Sequence, residues 1–399
     1  MNNISINEIS DNTIFSEDSY ILENLFFLPK NLPVHQYHIK LLREWNIPSV
    51  QTEGILAGEA MNQIVKEELK EAGKPESVSR EEAALNVLVD NEKSAVSDIK
   101  EDKKNALLDS NVKDFVEIYK EWIKTIVIFF NEIIIHRLVD KEKVINFIKD
   151  IITHVDKNRN NALLLFGKKF EGIFYVLPQT LETIILSYII GDGLNLSDLT
   201  LSNLLIASLF HDIGMLKVSK LILEKKGALT EEEKRTVRTH TNLGYKFLRE
   251  AGYSAVIASG ALQHHERMDG KGYPGGLASD KITEIAKIIS VTDAYCAAIE
   301  NKPYKNSPVH GKEVIQDLLR AGGTAYSPQI LKELIKNISL YPIGSLVVLS
   351  DNLPARVVGT SGIAMKPIVK RVAKTGEGEV LDLSKETTLY IKGLYEIKR

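Results

Sequence analysis

The sequence predicts a mainly α chain: a helical core with a small α/β module before it and a short β element after it. Three observations support this fold class. From Phe115 to about Ile338, apolar residues recur at helical spacing almost throughout. The first 57 residues mix short apolar runs with turn residues, which is typical of a small module of strands and helices. After Tyr341, β-branched runs are broken by turn residues, as in β-strands.

Changes of composition divide the chain into four segments. Residues 1–57 form the N-terminal module, and residues 58–114 form a strongly charged segment that is poor in aromatic residues. Such a segment has too few apolar residues for a packed core, so we expect solvated helices or a flexible linker that lets the N-terminal module move. Residues 115–340 form the helical domain, and residues 341–399 form a β-rich tail.

Local signals support individual elements. In the N-terminal module, apolar residues at helical spacing predict a helix near residues 38–45. The most apolar window, residues 122–139, is interrupted by charged and polar side chains, so we expect a buried helix and no membrane span. Thr230 followed by Glu233 is a capping box that predicts a helix start, and Gly252 predicts a helix end.

The charge balance and the cysteine content exclude several classes of function. The 399 residues include 50 basic and 53 acidic side chains, with a formal net charge of -3, so we expect no DNA or RNA partner. A single cysteine, Cys296, excludes an internal disulfide and suits a reducing compartment. The first residues lack a positive charge followed by an apolar run, so no secretory signal is predicted. We therefore expect a cytoplasmic protein.

Six candidate metal ligands cluster in the helical domain. They are His211, Asp212, His240, His264, His265 and Asp293. Asp212 has two carboxylate oxygens and can bridge two ions, while a carboxylate such as Asp293 on an apolar helix face is costly unless it is paired or metal-bound. A lone histidine in a helix is usually structural, but this combination is difficult to explain by packing alone.

The mixture of imidazole and carboxylate ligands favours a transition metal. Fe, Mn, Co and Zn prefer such ligands, whereas Ca and Mg prefer oxygen alone. Two such ions a few ångströms apart form a clamp for in-line displacement at phosphorus, with an activated hydroxide as the nucleophile. The residues alone therefore predict hydrolysis of a phosphate ester or diester.

Two motifs resemble the HD-GYP domain, a branch of the HD phosphohydrolase superfamily. They are HHERMDGKGYP, residues 264–274, and FHDIG around His211 and Asp212. The resemblance extends from about residue 158 to about residue 338. It implies an all-helical core that binds two or three metal ions and hydrolyses the bacterial second messenger cyclic di-GMP.

The resemblance also implies roles for individual residues. His211 and Asp212 correspond to the catalytic metal-binding pair, with Asp212 as the bridge. The remaining ligands divide between two ions, with Asp293 on the first and His240, His264 and His265 on the second. Gly272 and Tyr273 correspond to the loop that shapes the substrate groove, and Lys302 and Lys305 correspond to cations that hold the substrate phosphates. We expect two transition-metal ions, with Fe or Mn favoured.

The first metal site departs from the family pattern. Gln179 stands where the family has a histidine ligand, Tyr175 where some members have a glutamate for a third ion, and Met215 where a substrate-facing lysine is usual. Gln179 and Glu182, about one helical turn apart, are candidate replacement ligands. A glutamate in solvent is the simpler interpretation of Glu182.

Two functions therefore stay open. The first is metal-dependent hydrolysis of cyclic di-GMP to linear pGpG, because complete breakdown to GMP is associated with three-metal members of the family. The second is a catalytically impaired receptor or adaptor that binds cyclic di-GMP without turnover. It would signal to a protein partner through the N-terminal module. Hydrolysis of another nucleotide is a third interpretation, which the GYP motif disfavours. A homodimer is also open.

Overall fold

The computed structural model describes most of the chain after residue 109 and short runs before it. The described residues are 2–11, 13–17, 19–21, 25–28, 34, 39, 42–43, 48–54, 56, 110–168, 176–223, 225, 227–299, 311–372 and 378–395. Most of the predicted linker, residues 58–114, lies outside this set, as does most of the helix expected near residues 38–45.

The chain divides into two compact units. One is Ser110–Asn337, and the other combines Met1–Asp109 with Ile338–Arg399. The first unit is helical and the second carries the strands, so the predicted mainly α fold with a small N-terminal module and a C-terminal β element is confirmed.

Eleven α-helices lie within the described residues. They are α1 (Ser110–Asn131), α2 (Lys141–Leu164), α3 (Val176–Gly193), α4 (Asp198–Phe210), α5 (Lys220–Leu223), α6 (Glu231–Arg238), α7 (His240–Glu250), α8 (Ala255–Gln263), α9 (Glu284–Ile299), α10 (Gly311–Arg320) and α11 (Pro328–Ile338). Short 3-10 turns at Ile213–Lys217 and Ser279–Lys281 join some of them.

Side-chain caps fix where several helices begin. The predicted capping box at α6 is confirmed: the Thr230 hydroxyl accepts the Glu233 N–H, and the Glu233 carboxylate accepts the Thr230 N–H. Ser197 and Ser254 cap α4 and α8 with one hydrogen bond each: each hydroxyl accepts a backbone N–H from the first turn of its helix. The predicted helix end is also confirmed, since α7 stops just before Gly252, whose φ is +75°.

The apolar window at residues 122–139 is only partly a buried helix. Helix α1 ends at Asn131 and continues as a π-helical turn, Glu132–His136. One face, with Trp122 and Phe130, is buried, whereas Ile135 is 68% exposed. The expectation of a buried helix is therefore confirmed for one face only, because apolar side chains lie on more than one face and only one face packs against the domain.

The centre of the helical unit is formed by α3, α4, α8 and α9. Helices α3 and α4 have almost no exposed face over most of their length. The stretch Asp198–Lys217 has the length and composition of a membrane span, but 67% of it is buried inside the protein. Because residues 204–214 are all buried, this stretch belongs to the core of the domain, and it carries His211 and Asp212.

The strands form two antiparallel sheets. The N-terminal sheet has the order β1-β4-β2-β3, from β1 (Asn2–Ser5), β2 (Ser19–Ile21), β3 (Leu25–Leu28) and β4 (Ser49–Thr52). The C-terminal sheet has the order β8-β7-β6-β5-β9, from β5 (Leu346–Leu349), β6 (Pro354–Gly359), β7 (Ile368–Arg371), β8 (Val380–Asp382) and β9 (Ile391–Leu394). In β5, buried and less buried residues alternate, as expected for a sheet with one packed face.

Candidate metal centre

The sharp turn after α4 brings Asp212 against the start of α7. His211 directly follows the last residue of α4, and Asp212 precedes the 3-10 turn. A Cβ atom on Gly214 would lie 2.1 Å from the carbonyl oxygen of His240, so only glycine permits this approach of the two backbones. The approach places residues that are far apart in sequence in one site.

The structure brings all six predicted ligand residues together. The ligand atoms of Asp212, His240, His264 and His265 lie within 4.8 Å of one another, and so do those of a second group. The second group is His211, Asp212 and Asp293. The two groups share Asp212, as a bridging carboxylate requires.

Each oxygen of Asp212 faces different imidazoles. Its Oδ1 lies 3.3 Å from His240 Nε2 and 3.6 Å from His264 Nε2, whereas its Oδ2 lies 3.6 Å from His211 Nε2. In the second ligand group, Asp293 Oδ1 lies 3.5 Å from His211 Nε2. One carboxylate thus serves two neighbouring clusters of nitrogen and oxygen atoms.

Backbone carbonyls hold three of the imidazoles in one tautomer. The Nδ1–H of His211 donates to the Ser208 carbonyl oxygen at 2.7 Å, and that of His240 donates to the Val237 carbonyl oxygen at 2.7 Å. His264 Nδ1 lies 3.0 Å from the carbonyl oxygens of both Gly260 and Ala261. Because Nδ1 carries a proton in each ring, Nε2 is the atom that faces the aspartates and can bind a metal, as in metal-binding histidines.

The Nε2 atoms fit bound cations. His240 Nε2 and His264 Nε2 are 3.2 Å apart, so a single cation could contact both nitrogens. His211 Nε2 is buried and has no hydrogen-bond partner. Its contacts with the carboxylates of Asp212 and Asp293 are long, 3.6 and 3.5 Å, so this nitrogen is available to a metal ion.

The charges of the site also suit metal ions. Although burial opposes it, the His211 charge and the hydrogen bond from His264 hold the pKa of Asp212 well below its usual range. The pKa of Asp293 is also lowered, against burial, by its contact with His211. Burial lowers the pKa of His240 and His265. Ionised carboxylates beside neutral imidazoles are the forms that bind metals.

Comparison with known proteins identifies the domain. Residues 166–330 match the model of the HD domain family. The chain is 32% identical over 216 residues to the cyclic di-GMP phosphodiesterase PdeB of Borreliella burgdorferi, covering 54% of this chain and 56% of the relative. It is 33% identical over 192 residues to the cyclic di-GMP phosphodiesterase PA4108 of Pseudomonas aeruginosa, covering 48% and 46%.

A third relative carries the name of a different cyclic dinucleotide. The chain is 35% identical over 138 residues to the 3'3'-cGAMP-specific phosphodiesterase 3 of Vibrio cholerae, covering 34% of this chain and 29% of the relative. The region that matches the HD domain family, residues 166–330, lies within the helical unit. The chain spans about half the length of the first two relatives.

Gln179 contacts a metal-ligand candidate directly. Its side-chain Nε2–H donates to Asp293 Oδ1 at 2.6 Å, and both side chains are buried. Glu182 accepts the Gly167 N–H at 2.8 Å and is 2% exposed, so the interpretation of Glu182 as a solvent-exposed residue is wrong. Glu182 belongs to neither ligand group found among the described residues.

A buried glutamate fixes the loop of the GYP motif. Glu266 is 2% exposed and accepts the Gly275 N–H at 2.6 Å and the Leu277 N–H at 2.9 Å, one on each carboxylate oxygen. A Cβ on Gly272 would lie 2.5 Å from Glu266 Cα, so the loop folds tightly over this residue. Sequence reasoning missed the role of Glu266, although an acidic residue directly after two ligand histidines was a visible signal.

The Tyr273 ring of this loop stacks on His265, with ring centroids 4.7 Å apart and an angle of 29° between the planes. The Arg238 guanidinium also lies over the Tyr273 ring, 5.1 Å from its centroid. Burial raises the pKa of Tyr273, so its phenol stays protonated at neutral pH. The loop therefore presents a neutral hydroxyl and an aromatic face beside the ligand cluster.

A pocket of about 420 Å³ opens on the ligands. Its lining includes Gln179, Asp212, His240, Asp293 and Tyr273. The predicted phosphate ligands Lys302 and Lys305, and Tyr175, lie outside the described residues. A volume of this size is typical of a small-molecule site.

Proposed function

We propose that this HD-GYP domain hydrolyses cyclic di-GMP to the linear dinucleotide pGpG with two transition-metal ions as cofactors. The observation that carries the proposal is the pair of ligand groups that share Asp212 at the floor of one pocket. The relatives named as cyclic di-GMP phosphodiesterases support the substrate. Imidazole and carboxylate ligands support Fe or Mn as the cations.

Two cations bound there would activate water and neutralise negative charge on the attacking and leaving oxygens. The residues of the chain supply the geometry: His211 and Asp293 would hold one cation, and His240, His264 and His265 the other, with Asp212 shared. Backbone carbonyls keep the imidazoles in the binding tautomer, so little reorganisation is needed when cations arrive. Gly272 permits the tight loop that carries Tyr273, whose ring and hydroxyl would contact the bound nucleotide.

A specific observation favours a second candidate, a receptor that binds cyclic di-GMP without turnover. Gln179 donates a hydrogen bond to Asp293 Oδ1, which occupies a lone pair that a cation would use. Met215, an uncharged side chain, also lines the pocket. The Gln179 contact would weaken binding of the first cation, and the uncharged Met215 would weaken binding of a phosphate. The ligand group around His264 would stay complete.

One experiment separates the two functions. The purified protein is incubated with cyclic di-GMP and Mn²⁺ or Fe²⁺, and with 3'3'-cGAMP in parallel, and the nucleotides are resolved by chromatography. The proposal predicts pGpG from the wild-type protein and none from His264→Ala. Hydrolysis by Gln179→His, but not by the wild-type protein, would instead support the receptor. Turnover of 3'3'-cGAMP alone would contradict the proposed substrate.

Four expectations from the sequence remain proposals. They are a protein partner for the N-terminal module, a homodimer, a cytoplasmic location and phosphate binding by Lys302 and Lys305. Light scattering of the full chain tests the homodimer. Phosphate binding is tested by replacing Lys302 and Lys305 in turn with glutamine and measuring KM for cyclic di-GMP.

A further inference from the structure

The start of α6 and the chain before it contribute two lysines to the pocket that contains the metal-ligand candidates. Lys225 precedes α6 and Lys234 lies within it, and both line the pocket together with Asp212 and Asp293. Among the residues that the structure describes, these are the only lysines or arginines in the pocket lining. Neither lysine belongs to the HHERMDGKGYP or the FHDIG motif.

Lys225 is held in place by a carboxylate that is itself fixed. Its Nζ lies 2.8 Å and 2.7 Å from the two oxygens of Glu233. The same carboxylate accepts the Thr230 N–H at 2.7 Å as part of the capping box of α6. The start of the helix thus fixes the position of the Lys225 ammonium at the pocket wall.

Lys234 is paired more weakly. Its Nζ lies 2.8 Å from Glu231 Oε1, and the lysine and glutamate side chains are 47% and 77% exposed. An exposed ion pair of this kind contributes little, because water screens it. An entering anion can therefore take over the Lys234 ammonium at a small cost.

Apolar side chains line part of the same pocket. They include Ile222, Leu229 and Val237. Apolar walls reduce local screening, so a charge that enters the pocket interacts more strongly with the lysines than it would at an open surface. Together the residues form a cationic wall in a pocket whose floor holds ionised carboxylates.

We propose that Lys225 and Lys234 form a second phosphate subsite, which binds the phosphodiester of a cyclic dinucleotide that is not at the metal-ligand cluster. This inference rests on the proposed function. A cyclic dinucleotide carries two phosphodiesters, and only one can lie at the metal ligands during reaction. The other keeps its negative charge in the pocket, and an ammonium group is the partner that stabilises it.

The test compares a substrate that has two phosphodiesters with one that has a single phosphodiester. The variants are Lys225→Gln, Lys234→Gln and Lys234→Arg, and Lys246→Gln serves as the control. Lys246 is an exposed lysine that pairs with Glu250 on α7 and does not line the pocket. KM and kcat are measured for cyclic di-GMP and for bis(4-nitrophenyl) phosphate in Mn²⁺, and Kd for cyclic di-GMP is measured by calorimetry.

Each glutamine variant is expected to raise KM and Kd for cyclic di-GMP about tenfold, because it loses one charge-assisted contact with the substrate. Hydrolysis of bis(4-nitrophenyl) phosphate should stay within about twofold, because that compound has no second phosphodiester. Lys234→Arg should keep wild-type affinity, and Lys246→Gln should change nothing. The glutamine variants should also show a weaker dependence of Kd on salt concentration.

Two outcomes would overturn the inference in distinguishable ways. If the wild-type protein binds cyclic di-GMP and both glutamine variants bind it equally well, the subsite is wrong and the proposed function stands. If the wild-type protein neither binds nor hydrolyses cyclic di-GMP, the proposed function fails and the subsite fails with it. Melting temperature and metal content, measured on every variant, show whether the fold is kept.

Discussion

Substitution of Glu266 by glutamine tests the account of the GYP loop. The carboxylate is 2% exposed and each of its oxygens accepts one backbone N–H, from Gly275 and Leu277. Glutamine keeps the size of the side chain but has only one acceptor oxygen, so its NH₂ group would face one of the two N–H groups. That N–H would lose its partner, and the other would lose a charged acceptor.

The expected cost follows from these two bonds. A hydrogen bond to a charged group contributes about 1.5–3 kcal/mol, and one of the two is lost outright. We expect Glu266→Gln to destabilise the domain by about 2–3 kcal/mol, which corresponds to a drop in melting temperature of about 5–10 °C for a unit of this size. The Tyr273 ring would also lose its fixed position on His265, so KM for cyclic di-GMP should rise.

Calorimetry and hydrogen exchange measure the effect. The Gly275 and Leu277 amides should exchange faster in Glu266→Gln than in the wild-type protein. Glu117→Gln is the matched control, because Glu117 is 71% exposed and pairs with Lys120 in the same helix. A melting temperature for Glu266→Gln within about 1 °C of the control, with unchanged exchange of both amides, would refute the reasoning.

Three further predictions concern the metal ligands and the loop. Gln179→His should tighten the weaker of two Mn²⁺-binding steps in calorimetry by about tenfold or more, since imidazole is the better ligand; an unchanged isotherm would contradict this. Gly272→Ala should reduce kcat/KM for cyclic di-GMP, because its Cβ would lie 2.5 Å from Glu266 Cα; wild-type kinetics would contradict a tight loop. Burial lowers the pKa of His211, but Asp212 and Asp293 outweigh it and raise that pKa to about 9. Protonated His211 therefore stabilises the metal-free protein, and about 3 kcal/mol is lost as pH rises from about 6.5 to 9. Melting scans in a chelator should show this loss and saturating Mn²⁺ should remove it, whereas a flat profile in chelator would contradict it.

The sequence was most informative where the signal is local or chemically unusual. The capping box at Thr230 and Glu233 needs only four residues of context, and the structure confirms it. The six ligand candidates could be picked out because histidine and aspartate are rare on apolar helix faces. Their convergence depends on close packing, such as the approach of Gly214 to His240, which no periodicity reveals.

The roles of other residues depend on contacts between distant parts of the chain. Gln179 reaches Asp293 across 114 positions, and its amide could be foreseen as a replacement ligand but not as a donor to a carboxylate. Lys225 and Lys234 resemble ordinary surface lysines in sequence, and only the folded pocket shows what they face. Partial exposure of α1 was missed because composition measures how apolar a helix is and not which faces find a partner.

Metal counting in three proteins tests most directly whether Asp212 is shared by two cation sites. Equilibrium dialysis at saturating Mn²⁺, followed by elemental analysis, gives the ions bound per chain in the wild type, Asp293→Ala and Asp212→Ala. If Asp212 is shared, we expect about two ions in the wild type, about one in Asp293→Ala and fewer than one in Asp212→Ala. Equal metal content in the two variants would contradict a shared bridging carboxylate.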